Sequence, residues 1–113
     1  MCESWVNNIK RLFNILPDNI IEISQNIYLD RLNLFIKINN KEIHIARKES
    51  EIFLYLINNH QKIVSIDELS TNVWSYEDSP NPSTVRTYIK NLRKILGEKF
   101  ITNIRGVGYK FNK

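Results

Sequence analysis

The spacing of the hydrophobic residues changes along this 113-residue chain, and the order of the changes restricts the fold. Residues 3–16 carry apolar side chains at intervals of three and four, as an amphipathic helix does, and Pro17 ends the pattern. Residues 20–45 alternate with a period of two, including the stretch 32–38, and the segment NNK at 39–41 has the composition of a hairpin turn. We therefore predict a helix followed by an antiparallel meander of three or four strands.

Helical spacing returns after the meander and predicts three further helices. The first covers residues 48–60. The second begins at Ser65, because Ser65 and Glu68 have the spacing of a capping box, in which the Glu68 carboxylate reaches back to the cap. The third covers residues 83–96 and stops at Gly97.

A β-hairpin follows the third helix. Residues 100–104 and 108–111 have the pattern of two strands joined by a turn at 105–107. We expect Gly106 and Gly108 to adopt the positive φ angles that a tight hairpin needs. The complete order of elements belongs to the α+β class.

Positive charge is concentrated at the end of the sequence. Residues 79–113 contain eight Lys or Arg and one acidic residue, whereas residues 1–78 have a net charge of −3 and the whole chain +4. Such segregation indicates a surface that meets a polyanion.

The third predicted helix has an apolar stripe on one side and hydrogen-bond donors on the other. An α-helix fits the major groove of DNA, where such donors reach base edges and phosphates, and an Asn carboxamide matches adenine. Arg105, just before the hairpin turn, can enter a narrow minor groove. A basic helix face that is simply solvated is the alternative. The predicted contact residues on the helix are Ser83, Arg86, Thr87, Lys90, Asn91, Arg93 and Lys94.

Other chemistry has little support in the sequence. The single cysteine, Cys2, excludes an internal disulfide and a thiolate metal cluster, and neither His44 nor His60 has a second ligand at metal-binding spacing. We expect no catalytic site, metal, cofactor or small-molecule substrate. We also expect a cytoplasmic protein without a membrane segment, because no apolar run approaches the length of a span.

Four segments, in their order and spacing, resemble the OmpR/PhoB-type effector domain of two-component response regulators. They are IVSIDEL at 63–69, VW at 73–74, STVRTYIKNLRKIL at 83–96 and IRGVGYKF at 104–111. The resemblance implies a winged helix-turn-helix with an N-terminal β-meander, three helices and a C-terminal hairpin wing. It implies a domain at 19–113, preceded by a helix or linker segment at 1–18.

The same resemblance implies a transcription regulator that binds double-stranded promoter DNA, usually as a dimer on direct repeats. The helix at 83–96 would be the recognition helix, and Arg105 and Tyr109 would contribute from the wing. The loop at 75–82 corresponds to a segment that can touch RNA polymerase, which in this chain would involve Ser75, Tyr76, Glu77 and Asp78.

Some positions depart from the family pattern. Ala46 stands where a capping Thr is usual, so we expect the first long helix to be weak at its start. Arg86 replaces a common acid and Asn91 a common Arg, so sequence preference does not transfer from relatives. A winged-helix adaptor that binds protein and not DNA is the main alternative. RNA binding is a third, although the chain shows no aromatic platform for stacking bases.

Overall fold

The computed structural model describes residues 19–74 and 80–112 of the chain. The helix predicted at residues 3–16 and the predicted polymerase-contact residues Ser75, Tyr76, Glu77 and Asp78 lie outside the described residues. The chain divides into two compact units, Met1–Ser50 and Glu51–Lys113.

The first unit contains a four-stranded antiparallel sheet, which confirms the predicted meander. Its strands follow the chain order: β1 at Ile20–Ser24, β2 at Ile27–Asp30, β3 at Phe35–Ile38 and β4 at Lys41–His44. Across the sheet, Leu29 pairs with Ile36 and Ile36 with Ile43, so that apolar residues fall side by side on one face. Leu29 and Ile36 are fully buried.

The turns of the meander use residues that tolerate positive φ. Asn39 and Asn40 have φ angles of 46° and 75°, and they alone separate β3 from β4. Two residues with positive φ are typical of the hairpin turn whose twist matches that of the strands. The turn predicted from the Asn-Asn pair is therefore confirmed.

The connection between β2 and β3 differs from the prediction. The alternation at 32–38 indicated a strand throughout, but β3 begins only at Phe35. The buried carboxylate of Asp30 accepts hydrogen bonds from the backbone N–H groups of Leu32 and Asn33, at 3.0 and 2.9 Å. These bonds hold the intervening residues in a turn, and Leu32 is left 73% exposed.

Helix α1, Arg47–Asn58, begins at the end of the first unit, and the remaining elements belong to the second. They are strand β5 at Ile63–Val64, helix α2 at Ile66–Val73, helix α3 at Pro82–Leu96, and strands β6 at Ile101–Ile104 and β7 at Gly108–Phe111. Strand β7 lies between β5 and β6 in a three-stranded antiparallel sheet. The predicted three helices and closing hairpin are thus confirmed.

The start of α1 is held without the usual capping hydroxyl. The backbone N–H of Ala46 donates to Glu49 Oε1 at 2.7 Å, and the Ala46 carbonyl accepts from the Ser50 N–H at 3.0 Å. This arrangement is the glutamate half of a capping box. It offsets part of the loss that we expected from alanine at this position.

The second unit has a core formed by both helices and strands. Phe53 of α1 meets Phe111 of β7 edge to face, with ring centroids 5.7 Å apart. The fully buried residues of this unit are Ile52, Phe53, Leu56, Val64, Leu69, Val85, Ile89, Leu92, Ile101 and Phe111.

Among residues 19–74 and 80–112, the structure contains no helix with the length and apolar composition of a membrane span.

The two glycines of the hairpin serve different purposes, which corrects one expectation. Gly106 has a φ angle of 77°, as predicted for a tight turn. Gly108 does not adopt a positive φ; instead, a Cβ at this position would lie 2.3 Å from the Val64 carbonyl oxygen. Gly108 is therefore needed because β7 passes so close to β5, a reason that turn composition does not reveal.

We predict that Gly108→Ala lowers the free energy of unfolding by about 1–3 kcal/mol, the usual cost of forcing an extra methyl group into a packed site. Urea denaturation followed by circular dichroism would measure the change. Gly106→Asn is the matched control, since nothing lies within 4 Å of a Cβ there and Asn tolerates positive φ. Equal losses in the two variants would contradict the close-packing explanation.

Candidate nucleic-acid interface

Helix α3 has well-defined ends. The Asn81 side-chain oxygen accepts from the Ser83 N–H at 2.9 Å, and Pro82 occupies the first helical turn, where its missing N–H costs nothing. At the other end, the Gly97 N–H donates to the Arg93 carbonyl at 2.8 Å, and Gly97 has a φ angle of 101°. These caps fix the length of the helix and the residues that lie on each face.

One face of α3 is buried and the opposite face is exposed, as predicted. Val85, Ile89 and Leu92 are fully buried and Leu96 is 8% exposed. The helix contains no acidic residue, so its exposed face is wholly neutral or basic. The exposed residues are Pro82, Ser83, Thr84, Arg86, Thr87, Lys90 and Lys94, and Asn91 is half-buried at the edge of this face.

Arg93 does not share the environment of these exposed residues. Its Nε donates to the carbonyl of Ile101 in β6 at 3.0 Å, and one guanidinium nitrogen lies 3.9 Å from a carboxylate oxygen of Glu98. The sequence placed Arg93 on the flank of the basic face. The structure shows that it joins α3 to the first strand of the hairpin, and its contact with DNA stays a prediction.

Tyr109 also lies within the fold. It is 8% exposed and sits in β7, where it pairs with Val64 on one side and Asn103 on the other. The resemblance implied that Tyr109 contributes to DNA binding from the wing. Its burial gives it a part in the sheet, and it is not among the residues on which the proposal below depends.

Two arginines meet at an open cavity between α2, α3 and the hairpin. The cavity has a volume of about 440 Å³, and both Arg86 and Arg105 line it and are exposed. Asp67 is the one acidic residue in its lining and belongs to the first turn of α2, where the helix dipole favours a carboxylate. Guanidinium groups that line one open cavity are suited to phosphate oxygens.

The tip of the hairpin carries an apolar residue that the sequence analysis did not single out. Val107 is 57% exposed and stands two residues after Arg105. Thr84 on α3, also exposed, was likewise left out of the predicted contacts. For Val107 the available signal was an apolar side chain between two glycines; for Thr84 it was a place on the flank of the helix.

Helix α2 is connected to α1 by a cluster of three polar side chains. Glu68 Oε2 accepts from the Tyr55 hydroxyl at 2.5 Å and from Lys62 Nζ at 3.0 Å. The Ser65 side chain accepts from the Glu68 N–H at 3.0 Å, as the capping box predicted, but the Glu68 carboxylate is directed to Tyr55 and Lys62 and not back to the cap. Tyr55 and Lys62 therefore take the Glu68 carboxylate in place of the backbone N–H of the cap.

The same hydrogen bonds perturb two pKa values. The bond from Tyr55, followed by the bond from Lys62, holds the pKa of Glu68 below its ordinary value. Conversely, the bond to Glu68 raises the pKa of Tyr55, with burial and the carboxylate charge acting in the same direction. The cluster is thus strongest when Glu68 is ionised and Tyr55 is protonated.

Helices α2 and α3, followed by a hairpin that carries a basic residue at its turn, define the winged helix-turn-helix class. A family model described as "Transcriptional regulatory protein, C terminal" matches residues 40–111. The chain therefore belongs to the OmpR/PhoB-type family of transcription-regulator DNA-binding domains, and the resemblance noted in the sequence is confirmed.

Relatives in several bacteria support this membership. The transcriptional regulatory protein CrdR of Helicobacter pylori is 40% identical over 104 residues, which is 92% of this chain and 46% of CrdR. The regulatory protein VanRB of Enterococcus faecalis is 40% identical over 72 residues, 64% of this chain and 33% of VanRB. The chain thus spans less than half the length of these two relatives.

Solved structures show the same architecture. The response regulator DrrB, an OmpR/PhoB homologue from Thermotoga maritima, aligns over 98% of this chain and 52% of its own, with a TM-score of 0.69 and 28% identity. The DNA-binding domain of the response regulator AdeR, solved in complex with an intercistronic region, aligns over 82% of this chain and 99% of its own, with a TM-score of 0.64 and 25% identity.

We predict that the stabilisation from the Tyr55–Glu68 hydrogen bond depends on pH. Because the pKa of Glu68 is lower in the folded state, its contribution is present above the ordinary carboxyl pKa of about 4.3 and is lost as the pH falls below it. Tyr55→Phe should therefore cost about 1.5 kcal/mol at pH 7 and clearly less near pH 3. Urea denaturation of both proteins across this range would test the prediction, and a cost independent of pH would refute it.

Proposed function

We propose that this chain binds double-stranded promoter DNA in a sequence-specific manner, as the output domain of a bacterial response regulator. The observation that carries the proposal is the exposed face of α3, which has hydrogen-bond donors and no acid, beside the wing residue Arg105. The names of the relatives, which include a transcriptional regulatory protein and the response regulator SaeR of Staphylococcus aureus, support the same function.

In this proposal α3 enters the major groove. Thr87, Lys90 and Asn91 lie near the middle of the helix and approach base edges, which the major groove makes accessible to a helix. Arg86 lies on the flank of the exposed face and Lys94 near its C-terminal end, and both meet phosphates. Ser83 is at the N-terminal end of the same face, close to the backbone of the duplex.

The wing contacts the neighbouring minor groove in the same proposal. Arg105 is exposed at the hairpin turn and shares a cavity lining with Arg86 of α3. A guanidinium group is attracted by the enhanced negative potential of a narrow minor groove, which is a property of A·T-rich sequences. Arg86 and Arg105 would therefore lie on either side of the DNA backbone that separates the two grooves.

The proposal extends to the assembly on DNA. Following the family resemblance, two copies bind as a dimer on direct repeats in the bacterial cytoplasm. The segment with Ser75, Tyr76, Glu77 and Asp78 would contact RNA polymerase, since its two acids suit a basic partner surface.

The decisive experiment selects bound duplexes from a random DNA library at about 0.15 M salt, near physiological ionic strength. We expect an enriched motif, repeated at about 10–11 bp if two copies occupy one face of the duplex. Binding without enrichment would leave a non-specific basic surface. An absence of duplex binding, including at low salt, would favour the adaptor that binds protein.

We predict that Arg105→Ala weakens binding to the enriched duplex and lowers the slope of log affinity against log salt by about one, as the loss of one phosphate-neutralising cation does. The loss should be greatest when the sequence flanking the major-groove contacts is A·T-rich. Fluorescence anisotropy at several salt concentrations would measure both effects.

Arg31→Ala is the matched control for this variant. It removes the same charge from an exposed arginine in the β2–β3 connection of the first unit. If both variants lowered the salt slope equally, Arg105 would act only through net charge, and its proposed position in the minor groove would be wrong.

A further inference from the structure

Thr87 occupies the centre of the exposed face of α3. With a turn of about 100° per residue, it lies almost opposite the stripe formed by Val85, Ile89 and Leu92, which are fully buried. Thr87 itself is exposed. Lys94, seven residues later, points in nearly the same direction but lies in the last turn of the helix. Under the proposed docking, Thr87 is therefore the side chain near the middle of α3 that projects into the major groove.

The hydroxyl of Thr87 is already engaged within the helix. Its Oγ1 donates to the backbone carbonyl of Ser83 at 2.8 Å. A threonine hydroxyl has one hydrogen to donate, so this bond removes Thr87 as a donor toward a ligand. The hydroxyl oxygen can still accept a hydrogen bond, and the methyl group on the same Cβ is the part of the side chain suited to an apolar contact.

Ser83, one turn earlier, is engaged in a similar way. Its hydroxyl lies 3.0 Å from Asn81 Oδ1 and donates to it as part of the helix cap. The hydroxyl groups of Ser83 and Thr87 thus both have partners within the protein. Direct donation to base edges is left to longer side chains such as Lys90, while the centre of the face offers an apolar group.

A thymine is distinguished in the major groove by its C5-methyl group, which makes apolar contacts with groups such as the threonine methyl. We propose that Thr87 determines specificity by packing its methyl group against the C5-methyl of a thymine, and not by a hydrogen bond. This inference rests on the DNA binding proposed above. It names the base and the chemical group that the centre of α3 recognises.

The test replaces each thymine of the duplex enriched in the selection experiment, one at a time, by deoxyuridine. This change removes only the C5-methyl group and leaves the Watson–Crick pair intact. Removing one buried methyl contact should weaken binding by the wild-type protein about fourfold at one thymine in each half-site. Replacement of any other thymine should leave the affinity equal, within experimental error, to that for the unmodified duplex.

Two variants decide which group of Thr87 is responsible. Thr87→Val has the same shape and retains a methyl group but has no hydroxyl, so it should keep the preference for thymine over deoxyuridine. Thr87→Ser keeps the hydroxyl and loses the methyl, so it should bind the two duplexes equally. Thr71→Ser, the same change at an exposed position of α2, is the control and should retain the preference.

The possible results separate this inference from the proposed function. A motif that is enriched but insensitive to deoxyuridine would overturn the role of Thr87 while DNA binding stands. So would a preference that Thr87→Ser keeps and Thr87→Val loses, because the hydroxyl would then be the recognised group. Failure to enrich any motif would overturn both proposals. Circular dichroism would verify that each variant is folded.

Discussion

The close contact between β7 and β5 determines where the wing stands. Strand β7 is the middle strand of its sheet, and Gly108 brings its backbone against the carbonyl of Val64. Val64 directly precedes Ser65, the residue that caps α2. The start of α2 and the wing are therefore attached to the same short strand, and Arg105 is carried to the cavity that Arg86 also lines. Any side chain at Gly108 would move the wing relative to α2.

Helix α3 makes specific contacts with β6 and with the end of α2. Arg93 joins it to β6 through the Ile101 carbonyl, and Tyr88 stacks on Trp74 at the end of α2, with ring centroids 6.1 Å apart. With its apolar stripe buried as well, the helix backbone has little freedom to rotate. A site on a rigid helix loses less entropy on binding than a site on a loop. The exposed side chains can adapt to DNA while the helix that carries them does not.

The sequence predicted the order and type of the elements because those depend on local patterns. The Asn-Asn turn, the Ser65 cap and the apolar stripe of α3 all appear where they were expected. The alternation at 32–38 misled, because a local turn held by the Asp30 carboxylate delays the start of β3. The other failures occur where a distant partner decides. Gly108 is required by Val64, Glu68 bonds to Tyr55, and Arg93 bonds to the hairpin. None of these partners is visible in the spacing of residues along the chain.

For the proposed interface, the affinity for DNA can be read from the sequence, whereas the specificity depends on contacts that only the structure reveals. The net charge of +7 in residues 79–113 is readable from the sequence, and charge of this kind supplies binding to phosphates in any DNA. In the proposed binding mode, discrimination between bases comes from the middle of α3, where the groups presented depend on hydrogen bonds made inside the helix. Because the Thr87 hydroxyl donates to the Ser83 carbonyl, we infer that this threonine acts through its methyl group. What a recognition helix can read therefore follows from which of its polar groups the protein has already satisfied.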